Sequence, residues 1–281
     1  MGKQREDPYV SLTGFSSIRA SFRKFPAQED SHTMLIPILV ALLVAFASMQ
    51  LSSLCTTIYL HRTMAHKGLK LHPAMALLMR IQLWLFTGIS MREWVAVHRK
   101  HHHFTDEEGD PHSPYLKGLL KVLLLNAHYY AREASKPEVV EKYTQDIPRS
   151  RAEAVLSHGW IGLGIMLAAF MYGFHLLASG WVGPVLGAAT FVVQGGAYIF
   201  SNAVINGICH CVGYRNFNNT ATNLRSVAWL TGGEGLHNNH HQYPASSKFS
   251  MRKWEIDPAW PVIRALTRLH LAQPLPLPQQ G

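Results

Sequence analysis

The sequence predicts an all-α integral membrane protein, a helical bundle with a histidine-rich cap on one side of the bilayer. Three observations predict it. Charged residues make up only 15% of the 281 residues, against roughly 25% in soluble domains. Four apolar stretches approach or exceed the roughly 20 residues that a bilayer requires. Seventeen histidines are present, and many lie beside those stretches. The net charge of +9 suits a membrane face or an acidic partner. No nucleic-acid-binding motif accompanies it, so nucleic acid is not expected as a partner. Cys55, Cys209 and Cys211, an odd number in apolar surroundings, do not make a disulfide framework.

Taken in order, residues 1–33 are polar and mixed in charge, and are expected to form a flexible arm without the pattern of a cleavable signal peptide. A membrane domain is expected over 34–270. Its first run, "MLIPILVALLVAFASMQLSSLCTTIYL" (34–60), is long enough to span with a turn or two left over, ending at His61. The next, "HPAMALLMRIQLWLFTGISMREWVAV" (72–97), is apolar but carries Arg80, Arg92 and Glu93, which are costly at mid-bilayer. A single crossing there would put the histidines before and after it on opposite faces. From Ala154 to Tyr214 no Asp, Glu, Lys or Arg occurs. Two runs, about 160–179 and 184–206, joined by "ASGWVGP", read as a transmembrane hairpin with a short turn.

Lys and Arg number 5 in residues 1–33, 14 in 62–151 and 7 in 215–268, with none in the hairpin turn. The histidine-bearing side is therefore expected to face the cytoplasm. "MRKWEIDPAWPVIRALTRLHLA", with Trp254, Trp260, Ile263 and Leu266 among Arg264 and Arg268, reads as an interfacial amphipathic helix. Residues 271–281 read as a Pro-rich tail.

Three histidine clusters stand out: "HRTMAH" (61–66), "HRKHH" (98–102) and "HNNHH" (237–241). The last two share H-x-x-H-H. Positions i, i+3 and i+4 share a helix face, so His98, His101 and His102 can converge, as can His237, His240 and His241. Adjacent histidines point about 100° apart, so each neighbour can serve a different ion. His61 and His66, about 140° apart on a regular helix, require the helix to end or distort between them. A lone histidine is ordinarily a packing or surface residue, and His72, His112, His128 and His158 are read that way. His103 is out of phase with His98 and is read as solvated or as a neighbour of the ligands rather than one of them.

Eight imidazoles exceed the needs of one ion and suit two with open positions. A structural zinc site would be closed by four ligands, often Cys. The metalloprotease H-E-x-x-H and the paired E-x-x-H of carboxylate di-iron bundles are both absent. An all-histidine pair at a membrane face points to redox iron acting on a lipid-soluble substrate.

At these residues the chain resembles the membrane fatty acid desaturases, in the acyl-CoA or acyl-lipid branch of bacterial type. "YLHRTMAH", "EWVAVHRKHHHFTD", "GDPHSP" and "GGEGLHNNHHQYP" carry the resemblance over about residues 34–270. It implies a further ligand in "NGICH", His210, with Asn206 as a water-mediated ligand. The implied set is His61, His66, His98, His101, His102, His210, His237, His240 and His241, holding two iron ions. It also implies that 72–97 lies along the cap rather than crossing, in agreement with the need for all ligands to share one side.

The implied activity is insertion of a cis double bond into a long-chain acyl group, using O2 and two electrons. Acyl-CoA or acyl-lipid is the expected substrate. The chain lacks H-P-G-G, the fused cytochrome b5 haem motif. Electrons are therefore expected from a separate ferredoxin-, rubredoxin- or cytochrome b5-like donor with its reductase.

Asp106 and Glu234 are expected to orient ligand rings. Trp84 and Trp94 are candidates for the wall of an acyl tunnel, with Trp160 and Phe200; ordinary packing is the competing reading for each. Arg62, Arg99 and Lys100, with Arg215 and Arg225, are candidates to meet substrate phosphates or an acidic electron donor, against plain membrane-surface charge. Two alternatives stay open: hydroxylation on the same di-iron scaffold, and a non-catalytic membrane metal-binding or transport protein.

Overall fold

In the computed structural model, which describes residues 31–276, α1 (Ser31–Cys55) runs without a break into a π-helical segment, Thr56–Ala65. Ala41, Ala45 and Met49 are buried at four-residue spacing, while Leu39, Leu42, Leu43 and Phe46 are exposed. A helix whose outward face is its apolar one is solvated by lipid. Met34–Ala65 and Val182–Cys211 are both long and apolar enough to cross a membrane. The protein is therefore an integral membrane protein, mostly helical, as its composition predicts. The expected N-terminal arm lies outside the described residues, apart from the start of α1.

β1 (Leu69–Leu71) leads into α2 (Pro73–Thr87) and α3 (Met91–His103). Then follow α4 (Pro114–Lys117), α5 (Leu119–Ala134), α6 (Pro137–Tyr143) and α7 (Arg151–Leu156). The hairpin is α8 (Gly159–His175) and α9 (Val182–Cys211). The chain ends with α10 (Arg225–Leu230), α11 (His237–Gln242), α12 (Ala259–Arg268) and β2 (Ala272–Pro274). α8 pairs with α9, α2 packs on α8, α5 lies against α9, and α3 packs on α6. α8 has 17 residues, the short limit for a span. α9 continues past the lipid and carries His210 in its last turn.

The ambiguous apolar run is two helices bent by 89°. Gly88 forms the elbow with φ of 66°, a conformation glycine adopts without penalty. A Cβ built at Gly159 would lie 2.0 Å from the Gly88 carbonyl oxygen, so this close approach pins the elbow to the start of α8. His66, before α2, and His98, in α3, have Nε2 atoms 2.8 Å apart. Both ends of the bent pair thus return to one place, and the pair does not separate the histidines. Its two cations are paired: Arg80 with Glu153, and Arg92 with Glu141 and the Ile147 carbonyl.

Three features go beyond the sequence expectation. α5 lies along α9 and exposes Leu120, Leu124 and Leu125. β1 and β2 form an antiparallel ribbon, Leu69 opposite Pro274 and Leu71 opposite Ala272, so the stretch expected as a tail begins as a strand; residues 277–281 lie outside the described residues. α12 is amphipathic as expected, but Ala259, Ile263 and Leu266 turn inward, onto a core with Ile58, Leu60 and Leu83.

Candidate metal centre and acyl cavity

The nine expected histidines meet above the metal-side ends of α1 and α9. His61 and His66 come from the π segment and its end. An i→i+5 hydrogen bond from the His66 N–H to the His61 oxygen (3.1 Å) closes its last turn. That wider turn sets His66 above His61, with ring centroids 5.0 Å apart. This is the distortion the five-residue spacing demands. α3 contributes His98, His101 and His102, α9 contributes His210, and α11 contributes His237, His240 and His241.

α11 has only six residues, too few for a helix that holds itself. Its two asparagines supply the support, and both are fully buried. Asn238 Oδ1 accepts the backbone N–H groups of Asn216 and Phe217, at 2.8 and 2.9 Å. Asn239 Nδ2 donates to the Phe249 carbonyl and to Glu255, at 3.0 and 2.9 Å. The two residues between the histidines of "HNNHH" therefore fix where the imidazoles point.

Donor atoms fall into two groups, with members of each within 4.8 Å of one another: His61, His66, His98, His102 and His240, then His101, His210, His237 and His241. Adjacent residues are dealt to different groups, His101 against His102 and His240 against His241. The i, i+4 pairs His98/His102 and His237/His241 each stay together.

The donor set fits metal ions. His61 Nδ1 lies 2.6 Å from Glu234, His101 Nδ1 3.0 Å from Asp110 and His210 Nδ1 2.7 Å from Asp106. A carboxylate only accepts, so the proton sits on Nδ1 and the Nε2 lone pair faces inward. His240 Nε2 lies 2.9 Å from Nε2 of both His61 and His102. Lone pairs packed this closely call for a cation between them. Burial, then the neighbouring imidazoles, push His66, His237, His240 and His241 well below the ordinary histidine range. Neutral imidazole is the ligating form.

Asp110 is the orienting residue that the sequence reading missed. Burial alone would raise its carboxyl, but the His101 ring beside it and the hydrogen bond from that ring outweigh it and hold the group well below the usual range. The available signal was an acid nine residues after His101, within "GDPHSP". Asp106 is likewise held low: burial opposes, and the His210 hydrogen bond wins.

A cavity of about 560 Å³ runs from the centre between the helices. Its wall includes His98, Trp94, Asn126 and Asn206 near the histidines, then Tyr198, Gly195 and Phe191 along α9, facing Phe86 and Leu163. From Asn206 to Phe191 is fifteen residues, a length of roughly 22 Å at 1.5 Å per helical residue. Trp94 stacks on His98 (centroids 4.7 Å, 13° between planes) and so forms wall and ligand support together. Asn206 Nδ2 donates to Asn126 Oδ1 at 3.0 Å.

The other candidate substrate contacts lie elsewhere. Trp84 is buried, donates to the His158 carbonyl at 3.0 Å and ties α2 to α8. Arg99 donates to the Ala65, Met64 and Tyr143 carbonyls and pairs with Asp146. Lys100 pairs with Glu133. These cations clamp the cap. Trp160 and Phe200 are exposed on the lipid side, where side chains of the spans meet hydrocarbon.

A profile of the family described as fatty acid desaturase matches residues 34–273. The chain belongs to the fatty acid desaturase family. Among similar desaturases is the Delta-9 acyl-lipid desaturase 2 of Arabidopsis thaliana, 29% identical over 94% of this chain and 85% of its own. The acyl-CoA C20 Delta5-desaturase of Anemone leveillei is 28% identical over 80% of this chain and 70% of its own. A hex-5-enoyl-[acyl-carrier protein] acetylenase of Moorena producens (strain JHB) is 28% identical over 81% and 74%. Family membership makes this protein a desaturase-family oxidoreductase, implies an acyl substrate, and matches the paired histidine groups to the family's metal site.

One consequence concerns Glu234. Arg62 donates to Thr57, Thr57 to Glu234, and Glu234 accepts from His61, a continuous buried chain. Glu234→Gln keeps the shape and an acceptor but removes the charge. Loss of such an outer partner costs about 10- to 100-fold in metal affinity. A competitive chelator titration of purified protein should show this, with helical content unchanged.

Proposed function

We propose that this protein is a fatty acyl desaturase that introduces a cis double bond into a long-chain acyl group, with nine histidines holding two irons. The observation that carries the proposal is the cavity of about 560 Å³ whose wall includes His98 of the first histidine group. A long apolar chain lying there brings a methylene pair beside the donor set. The balance is one CH2–CH2 unit, O2, two electrons and two protons giving CH=CH and two waters. Bound as a pair, the irons supply the oxidising power that no side chain has.

The protein's own groups do the rest. Glu234, Asp106 and Asp110 hold the rings in the ligating tautomer. Asn206, held by Asn126, presents its amide between cavity and centre. Trp94 fixes the His98 ring at the wall. The apolar walls exclude water and fix which carbons reach the centre. Acyl-CoA or acyl-lipid is the proposed substrate class, with electrons from a separate donor and the centre on the cytoplasmic side.

The deciding experiment is the fatty acid profile of an expressing host with and without oxygen, together with iron measured per chain. A new cis-alkene that requires oxygen, with two irons, is the expected result. A hydroxylated chain would replace desaturation with the alternative oxidation, and no oxidised lipid would remove the enzymatic reading.

The cavity also predicts a length effect. Gly195 lines the cavity, and a Cβ built there meets nothing within 4 Å, so the wall has room for a side chain at that position, whereas Gly196 lies on the exposed face of α9 with Val192 and Phe200. Gly195→Leu should shift product towards shorter chains. Each substrate methylene left unburied costs about 0.8 kcal/mol, so preference for the longer of two homologues differing by two carbons should fall roughly tenfold. Competition between such homologues, read by chain length of the product, checks it.

A further inference from the structure

Between residues 212 and 276 the charges are sorted by burial. All three acids are buried and committed inside: Glu234 to His61, Glu255 to Tyr214 and Asn239, Asp257 to Arg62. All seven Lys and Arg side chains are exposed. Large apolar side chains are exposed among them: Trp229 at 57%, Leu230 at 50% and Trp254 at 48%. The Arg225 guanidinium lies 5.4 Å above the Trp254 ring, which joins α10 to the 251–256 turn. Trp229 is four residues from Arg225 and shares its helix face.

The depth of this patch is fixed by its neighbours. A Cβ built at Gly232, just after α10, would lie 2.9 Å from Thr57 Cγ2 and 4.0 Å from the Leu54 Cα. α10 also packs against α9. α10 therefore packs on one long span, while Gly232, just past its end, touches the other at four to seven residues, or roughly 6–10 Å, below His61 along the helix axis. That is where apolar helix surface gives way to polar cap. Exposed Trp and Leu interleaved with Arg and Lys, at this height and with no exposed acid, match a lipid interface better than water or a soluble protein.

We propose that α10 and the 251–256 turn form an in-plane membrane anchor selective for anionic lipid. Trp229, Leu230 and Trp254 enter the hydrocarbon boundary, and Arg225, Arg252 and Lys253 meet head-group phosphates. α10 leads directly into the turn bearing Glu234 and then α11, so the anchor sets the height of the third histidine segment above the bilayer. The inference rests on the spans and not on the reaction catalysed.

The test uses the full chain in nanodiscs with brominated phosphatidylglycerol or brominated phosphatidylcholine, reading tryptophan fluorescence. Trp229→Phe and Trp254→Phe should each remove a quenched component that is larger with the anionic lipid. Arg225→Gln, Arg252→Gln and Lys253→Gln together should abolish the difference between lipids, at roughly fivefold per charge removed, with helical content unchanged. If neither brominated lipid quenches Trp229 and Trp254, the surface faces water and the proposal is wrong. It is equally wrong if both lipids quench alike in the wild type, or if an acidic [2Fe–2S] ferredoxin shields these tryptophans and the lipids do not.

Discussion

Purified His240→Ala is expected to carry about one iron per chain instead of two and to lose oxygen-dependent product by about 100-fold or more, beyond what outer-shell changes cost. His240 is fully buried, and its Nε2 stands 2.9 Å from Nε2 of both His61 and His102. It is thus central to the five-histidine group and has no substitute there. The other group, His101, His210, His237 and His241, does not include it, so one ion should survive. Asn238 and Asn239 hold α11 independently of the imidazole, so the fold should persist. His128, exposed on α5 and outside both groups, is the control: His128→Ala should keep both irons and full product. Metal analysis and lipid profiles on the same preparations decide the matter. Two irons with full product in His240→Ala would remove this residue from the centre.

The histidine pattern was legible because its information is local. H-x-x-H-H places side chains on neighbouring helix faces by helical geometry alone, and the misfit of His61 with His66 announced a distorted turn. The spans were legible for a similar reason, since lipid admits few charges and requires length. What stayed hidden depends on partners that only the folded chain brings together. Asp110 looks like any acid in a polar loop until His101 is folded over it. Arg99 and Lys100 looked free to meet substrate because Asp146 and Glu133 are more than thirty residues away. α5 has apolar residues on its lipid side as well as towards α9, and Lys121 interrupts it, so no simple hydropathy window isolates it. The β1–β2 ribbon joins residues some two hundred positions apart through three residues each, below any periodicity signal.

The charge with the largest structural consequence is one the histidine motif conceals. Arg62 follows His61 directly and looks like surface charge beside a metal site, yet its side chain is completely buried. Nη2 donates to both Asp257 oxygens, at 3.0 and 2.9 Å, and the guanidinium lies 3.7 Å over the Phe249 ring. Asp257 also accepts from the backbone N–H groups of Phe249 and Ala259, at 2.8 and 3.2 Å. Arg62→Leu would leave that carboxylate buried with no countercharge. Such a loss costs about 3–5 kcal/mol, a large part of ordinary folding stability. Thermal unfolding of the solubilised protein should show a large drop in midpoint. The double variant Arg62→Leu/Asp257→Leu should recover part of it, because removing both charges also removes the cost of burying them. Backbone donors at Phe249 and Ala259 would then be orphaned, so recovery should be incomplete. If the single variant proved as stable as the wild type, the pair would be dispensable to the fold. The π segment would then be held by Thr57 and the histidines alone.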